Sequence, residues 1–126
     1  MDIPAELRYS SDHEWVRVDG TTVTVGITAY AQDALGDVVF VEMPETGRTV
    51  TAGESFSEVE STNSVSDIYA PVAGSITEVN GELESQPELL NSDPYGAGWI
   101  CRIEIGDPSE IDGLMDAEAY RALTEG

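Results

Sequence analysis

Much of the chain alternates apolar and polar residues with a period of two, which predicts β-strands. Residues 15–18 and 22–27 alternate in this way on either side of Asp19-Gly20, a pair typical of a tight hairpin turn. The remaining predicted strands lie at residues 37–43, 58–60, 65–69, 75–79 and 99–105. In the last of these, Trp99, Cys101, Ile103 and Ile105 share one face, which we expect to be core. The pattern predicts a mainly β fold.

A short helix is predicted to interrupt the strands after residue 28. Thr28 is a favourable N-cap for residues 29–35, and Gly36 can end the helix in the left-handed conformation that other residues resist. Gly47 and Gly53 are spaced as tight corners of a small flattened barrel would require.

The pattern becomes helical again near the C-terminus. Asp107 offers an N-cap and is followed by proline at the first helical position, which predicts a helix through Leu114. Asp116 can cap a second helix, whose Tyr120 and Leu123 we expect to pack against the barrel. These helices are expected to be scaffold.

The length of 126 residues favours one domain over residues 1–126, with the helical tail at about 107–124. Its charge is extreme, because 25 acidic residues face five basic ones for a formal charge of -20. Such a surface repels nucleic acid and anionic membranes, which bind through clustered cations. Neutral or basic protein surfaces are the expected partners.

All five basic residues are arginines, so the chain contains no lysine. A lysine-free, acidic composition is typical of a halophile, since at about 1 M salt the Debye length falls to about 3 Å and self-repulsion is screened. A GC-rich genome, in which arginine displaces lysine, gives the same composition without salt adaptation. Refolding as a function of salt concentration separates the two interpretations.

The single cysteine, Cys101, excludes an intramolecular disulfide and a cysteine-based metal cluster. The N-terminal sequence lacks a cationic start followed by an apolar stretch, and no run approaches the ~18 apolar residues of a membrane span. A reducing, cytoplasmic location is therefore expected.

Residues with catalytic or metal-binding chemistry are few. His13 is the only histidine, and a metal site usually needs several converging ligands, so a structural role or a place at a cleft edge is expected for it. Asp12, Glu14 and Asp67 could form a carboxylate cluster, but nothing in the sequence locates a substrate pocket between them. No nucleophile, base and orienting group stand out together, which argues against an enzyme.

The segment from residue 58 to about 70 predicts an exposed hairpin. Two short strands flank the tip Ser61-Thr62-Asn63-Ser64, whose small polar residues suit a solvent-facing turn. A second dense loop is predicted at residues 91–98.

Four segments together resemble the glycine cleavage system H protein family: residues 9–15, 25–41, 59–74 and 90–99, with Asp-His-Glu-Trp, Gly-Asp-Val-Val-Phe-Val and Ser-Asp-Pro-Tyr as their most specific runs. The resemblance implies a barrel-sandwich hybrid fold and a carrier rather than an enzyme. It also implies a covalent lipoate cofactor, which a lipoate ligase or lipoyl transferase attaches to a lysine of the hairpin in members of the family.

The resemblance also implies the partners. The lipoyl arm shuttles the aminomethyl group of glycine from glycine decarboxylase to aminomethyltransferase, and dihydrolipoyl dehydrogenase reoxidises it. In the family the loaded arm folds into a cleft, where Glu14 and Asp67 occupy positions of polar contacts.

This chain departs from the family at the attachment position itself, where Asn63 replaces the lipoyl-lysine. An amide is not nucleophilic enough to accept the lipoyl group, so lipoate is expected to be absent from this chain. Glu60, Ser61 and Ser64 beside it are either contacts for the lipoyl-attaching enzyme or ordinary solvated turn residues.

Two functions follow from this departure. The first is an H protein that is unlipoylated or mutated, whether by natural substitution, a cloning change or deliberate replacement of the acceptor. The alternative is a non-lipoylated adaptor or regulatory paralogue that docks to the same enzymes. A biotinyl carrier is disfavoured, because the tip lacks the Met-Lys-Met arrangement of that related family.

Overall fold

The computed structural model describes residues 2–125. Its strands are β1 (Arg8–Tyr9), β2 (Glu14–Asp19), β3 (Thr22–Ile27), β4 (Val38–Val41), β5 (Thr49–Val50), β6 (Ser55–Ser61), β7 (Val65–Tyr69), β8 (Gly74–Val79) and β9 (Cys101–Ile105). Its helices are α1 (Ala29–Leu35), α2 (Glu82–Ser85), α3 (Leu89–Ser92), α4 (Ser109–Asp112) and α5 (Ala117–Glu125).

The strands form two antiparallel sheets. One has six strands in the order β1-β2-β3-β9-β8-β5, and the other has three in the order β4-β6-β7. Both sheets contribute to one apolar core, because their inward positions carry β-branched residues that fit a pleated, buried surface. The prediction of a mainly β, barrel-sandwich fold is confirmed.

Several local predictions are also confirmed. The hairpin of β2 and β3 turns at Gly20, and the Thr28 hydroxyl accepts a hydrogen bond of 3.2 Å from the Ala31 amide at the start of α1. Gly36 ends that helix at φ +84°, and Gly47 and Gly53 also have positive φ. These conformations favour glycine because they crowd a Cβ atom against the backbone.

The core face of β9 is only partly as predicted. Cys101, Ile103 and Ile105 are buried, but Trp99 precedes the strand and packs, half-buried, with a second apolar cluster. The Arg102 guanidinium lies 4.3 Å from the centre of its indole ring. The buried face of β9 therefore begins at Cys101 and does not include Trp99.

The C-terminal helices differ from the prediction in two ways. Helix α4 ends at Asp112, because the chain beyond Gly113 pairs with β1: Tyr9 and Met115 exchange two backbone hydrogen bonds of 2.8 Å. Helix α5 is capped by Asp116 as predicted and buries Tyr120, but Leu123 is 48% exposed, so its predicted packing was wrong. The short helices α2 and α3 were not predicted.

Candidate functional site

The tip of the β6–β7 hairpin is a closed, ordered turn. The Ser61 amide donates a hydrogen bond of 2.8 Å to the Ser64 carbonyl, and the Ser61 hydroxyl accepts from the amides of Asn63 (3.2 Å) and Ser64 (3.0 Å). Serine suits this position because its hydroxyl satisfies backbone donors that the turn leaves free. Ser61 therefore stabilises the turn, whatever else it contacts.

The tip also rests on the turn that joins α1 to β4. The Thr62 amide donates to the Asp37 carbonyl at 3.0 Å, and a Cβ atom added at Gly36 would lie 2.8 Å from Nδ2 of Asn63. Asn63 remains exposed to solvent. Residue 63 is thus accessible, and its side chain lies over a glycine.

A cavity of about 310 Å³ begins beside the tip and runs between α1 and β7. Ser64 and Asp67 line it from the hairpin, and Tyr30, Ala34 and Leu35 line it from the helix. A side chain longer than asparagine at position 63 would have this cavity within reach.

A second cavity, of about 320 Å³, lies at Glu14. It is lined by Tyr9, Ser10, Ser11, Asp12, Glu14, Gly53, Ala70, Pro71, Gly113, Leu114 and Met115. Asp12 lines both cavities. Glu14 and Asp67 therefore lie in two neighbouring cavities that meet at the Asp12 side chain.

Glu14 is 1% exposed, and its environment changes its acidity. Burial, reinforced by the charge of Asp12, raises the pKa of its carboxyl to about 7. Hydrogen bonds from the Ser10 hydroxyl and the Tyr69 amide oppose this rise. Near neutral pH this carboxyl therefore exchanges readily between its neutral and anionic forms. A carboxyl of this kind can hold a small cationic group.

His13 connects the first cavity to the C-terminal helix. Its Nδ1 lies 2.8 Å from the Tyr120 hydroxyl, which lies 2.7 Å from the Thr28 hydroxyl, and the ring of Tyr30 packs against the imidazole at 4.5 Å. Burial lowers the pKa of His13, which the charge of Asp12 opposes. Within residues 2–125, no group of three or more metal-ligating side chains converges. His13 thus joins the edge of this cavity to Tyr120 of helix α5.

The sequence did not predict that the tip rests on the turn between α1 and β4, which is the seat of the tip. Gly36 was interpreted only as the end of α1, although its lack of a side chain also leaves room for residue 63. It also missed Tyr120 as the partner of His13. No local signal could have found either contact, because each joins residues far apart in the sequence.

Two antiparallel sheets around one core, with an exposed four-residue tip beside an elongated cavity, define a carrier domain of the lipoyl and biotinyl type. Residues 7–126 match the family model described as glycine cleavage H-protein. The chain belongs to this family, whose members carry lipoate, act with the enzymes of the glycine cleavage system and are not themselves catalysts.

Individual relatives agree with this assignment. The chain is 56% identical to the glycine cleavage system H protein of Symbiobacterium thermophilum over 124 residues, covering 98% of this chain and 97% of that protein. It is 58% identical to the probable glycine cleavage system H protein of Haloarcula marismortui over 125 residues, covering 99% and 98%. The crystal structure of a glycine cleavage system H protein from Mycobacterium marinum superimposes with a TM-score of 0.87 at 43% identity, covering 98% of this chain and 100% of that one.

The residues present do not fit covalent lipoate. The exposed tip offers an asparagine amide at position 63, and the chain has no lysine anywhere to replace it. The turn that carries residue 63 is closed by hydrogen bonds, and a cavity of about 310 Å³ lies beside it. Among the described residues, no helix has both the length and the apolar character needed to cross a membrane.

Proposed function

We propose that the chain has the scaffold of a glycine cleavage carrier and that, with Asn63 at its tip, it does not accept lipoate. The single observation that carries this proposal is the geometry of position 63. It is exposed, lies on an ordered turn seated on Gly36 and Asp37, and adjoins a cavity of about 310 Å³. Only the side-chain chemistry at this position is unsuited to attachment.

The finer role that we propose belongs to a form with lysine at position 63. That form shuttles the aminomethyl group of glycine on a lipoyl arm from glycine decarboxylase to aminomethyltransferase, and dihydrolipoyl dehydrogenase completes the cycle. The chain's own contribution is to raise the effective concentration of a tethered group at each partner. Glu14 and Asp67 supply polar contacts along the two cavities, which supports their assignment to the arm cleft.

We assign recognition by a lipoate ligase or lipoyl transferase to the hairpin tip and its flank, through Glu60, Ser61 and Ser64. Glu60 pairs across the sheet with Phe40 on one side and Val65 on the other. These two apolar side chains are 52% and 59% exposed and flank Glu60, and a partner that binds the hairpin here would cover them together.

A second function, that of a non-lipoylated adaptor, is favoured by one observation. The chain has the fold of the family although it has no possible acceptor lysine. Such a protein would occupy the partner enzymes, or the lipoyl-attaching enzyme, without turnover. A separate lysine-bearing H protein encoded in the same genome would favour this alternative.

The acidic surface and the cellular location belong to the same proposal. Three of the five arginines form ion pairs within residues 2–125, to Glu54, Glu78 and Glu125, so most of the 25 acids have no basic partner in the chain. This imbalance supports adaptation to a saline cytoplasm, with a GC-rich genome as the remaining alternative.

Intact mass tests the proposal directly. The chain, its Asn63→Lys variant and an Asn63→Arg control are each incubated with lipoate, ATP and a lipoate ligase. Because the chain has no lysine, a lipoyl group gained by the lysine variant alone is located at residue 63. The arginine control separates an accepting amine from a mere positive charge, and it reports any reaction of the N-terminal amine.

We expect one lipoyl group on the lysine variant and none on the other two. Absence of modification on all three would contradict a competent carrier tip, and the adaptor would become the better account. Modification of the unchanged chain would show that residue 63 is not the attachment point.

A further inference from the structure

Asn91, in helix α3, uses its side chain to hold the turn between α1 and β4. Its Oδ1 accepts a hydrogen bond of 2.8 Å from the Val38 amide. Its Nδ2 donates to the Gly36 carbonyl at 2.8 Å and to Oε1 of Gln32 at 3.0 Å. The amide thus bridges the end of the helix and the start of the next strand.

The turn that Asn91 holds is the seat of the hairpin tip. Each of its three residues meets a different tip residue: Gly36 lies beneath Asn63, the Asp37 carbonyl accepts from the Thr62 amide, and Val38 pairs with Ser61. Asn91 bonds to the first and the third of these. It does not itself contact the tip in any hydrogen bond found among the described residues.

The seat needs such a support because its first residue is a glycine. Glycine has the largest conformational freedom to lose, and Gly36 is held at φ +84°. Without the Asn91 side chain, the Gly36 carbonyl and the Val38 amide lose these partners, and Gly36 keeps the hydrogen bond of 3.1 Å from its amide to the Gln32 carbonyl. The tip then rests, through the Thr62 amide and the pairing of Ser61 with Val38, on a turn that has lost two of its hydrogen bonds.

We propose that Asn91 is a positioning residue for the attachment tip, which fixes how residue 63 is presented to the lipoyl-attaching enzyme. The effect on lipoylation kinetics rests on the proposed function, whereas the effect on the orientation of the tip does not. If the competent orientation of the tip is only partly populated, the enzyme's apparent affinity falls by that fraction. The KM of modification should therefore rise while kcat is retained.

Asn80 provides a matched control. Its side chain also makes three hydrogen bonds, to the carbonyls of Ala97 and Trp99 at 2.8 Å and from the Glu82 amide at 3.2 Å. None of these reaches the seat of the tip. Replacing Asn80 therefore removes a comparable network elsewhere and reports the effect of general destabilisation.

The first measurement is hydrogen exchange of the Thr62 amide by NMR in the chain with Asn63 unchanged. In Asn91→Ala we expect exchange of this amide about tenfold faster, as the loss of one or two hydrogen bonds would give. In Asn80→Ala it should be unaltered. Equal acceleration in both variants, or in neither, would overturn the proposal.

The second measurement is the rate of lipoylation in the Asn63→Lys background. Adding Asn91→Ala should raise KM severalfold with kcat unchanged, because the exposed tip is marginally held and loses its dominant orientation, whereas adding Asn80→Ala should change neither. Asn91→Asp is the second variant should the alanine variant not fold. It keeps the acceptor for Val38 but sets a carboxylate against the oxygens of Gly36 and Gln32, and it should show the same defects.

The two proposals fail separately. If Asn63→Lys alone is never modified, the carrier function is contradicted, and Thr62 exchange still decides whether Asn91 positions the tip. If Asn63→Lys is modified and the Asn91 variants match it in KM, the positioning role is contradicted and the carrier function stands.

Discussion

The tip Ser61–Ser64 and the cluster of side chains beside Glu14, which consists of Tyr9, His13, Thr28 and Tyr120, are stabilised by different kinds of contact. The tip is exposed, and its order comes from hydrogen bonds of backbone groups and one serine hydroxyl. In the cluster, buried and half-buried side chains contact partners distant in sequence, such as Tyr120 and His13, which are 107 residues apart. A change at the tip can therefore alter chemistry without altering stability, whereas a change in the cluster alters both.

Tyr120 is the centre of the cluster. It is fully buried, stacks on Tyr9 with ring centres 4.6 Å apart, and its hydroxyl meets both His13 and Thr28. These contacts join helix α5 to β1, to His13 beside Glu14 and to the residue that caps α1. The C-terminal helix is thus scaffold, as expected, but scaffold that shapes the site.

The largest expected effect that sharpens this comparison is that of Tyr120→Ala. Removing a fully buried aromatic ring leaves a cavity and should lower the free energy of unfolding by about 4 kcal/mol. Tyr120→Phe, which keeps the ring and removes only the hydroxyl, should cost about 1 kcal/mol. Urea unfolding at one fixed salt concentration measures both, and similar costs for the two variants would show that the ring is not central to the cluster.

Glu14→Gln should have the next largest effect, and it should depend on pH. The folded-state pKa of Glu14 is raised from 4.5 to about 7, so the folded state binds the proton more tightly than the unfolded state does. Its favourable contribution is complete below pH 4.5 and is lost as the pH rises through 7. Glutamine stays neutral and loses nothing.

The free energy of unfolding of the variant, relative to that of the parent chain, should therefore rise by about 3 kcal/mol between pH 4.5 and 7.5, at 1.36 kcal/mol per pKa unit. Stability curves of the two chains across this range provide the measurement, and self-repulsion of the other acids cancels in the difference. A constant difference between the curves would contradict the raised pKa.

The smallest effect is expected at the tip. Asn63→Lys should change the free energy of unfolding by no more than about 0.5 kcal/mol, because the side chain is exposed and its partner glycine tolerates a flexible stem. Ser61→Ala, two residues away, should cost about 1 kcal/mol by freeing two amides. Thermal unfolding of the three chains compares them, and a large loss in the lysine variant would break the contrast between the two regions.

Local signals predicted the parts of the fold that local physics controls. The cap at Thr28, the turn at Gly20 and the alternation along β3 depend on a few adjacent residues, and the structure has all three. Helix α4 is shorter than predicted because the distant strand β1 recruits Met115. Leu123 lies one helical turn from the buried Tyr120 and is nevertheless 48% exposed, so helical spacing alone did not predict its burial.

The sequence by itself determined the family, the exposed tip and the absence of an acceptor lysine, because these depend on residue identity and short-range pattern. Only the tertiary structure decided the seat of the tip on Gly36 and Asp37, the hydrogen bonds from Asn91 to that turn, and the two cavities that meet at Asp12. It also decided the raised pKa of Glu14. Each of these depends on burial and on contacts between segments far apart in the chain, which no window of neighbouring residues contains.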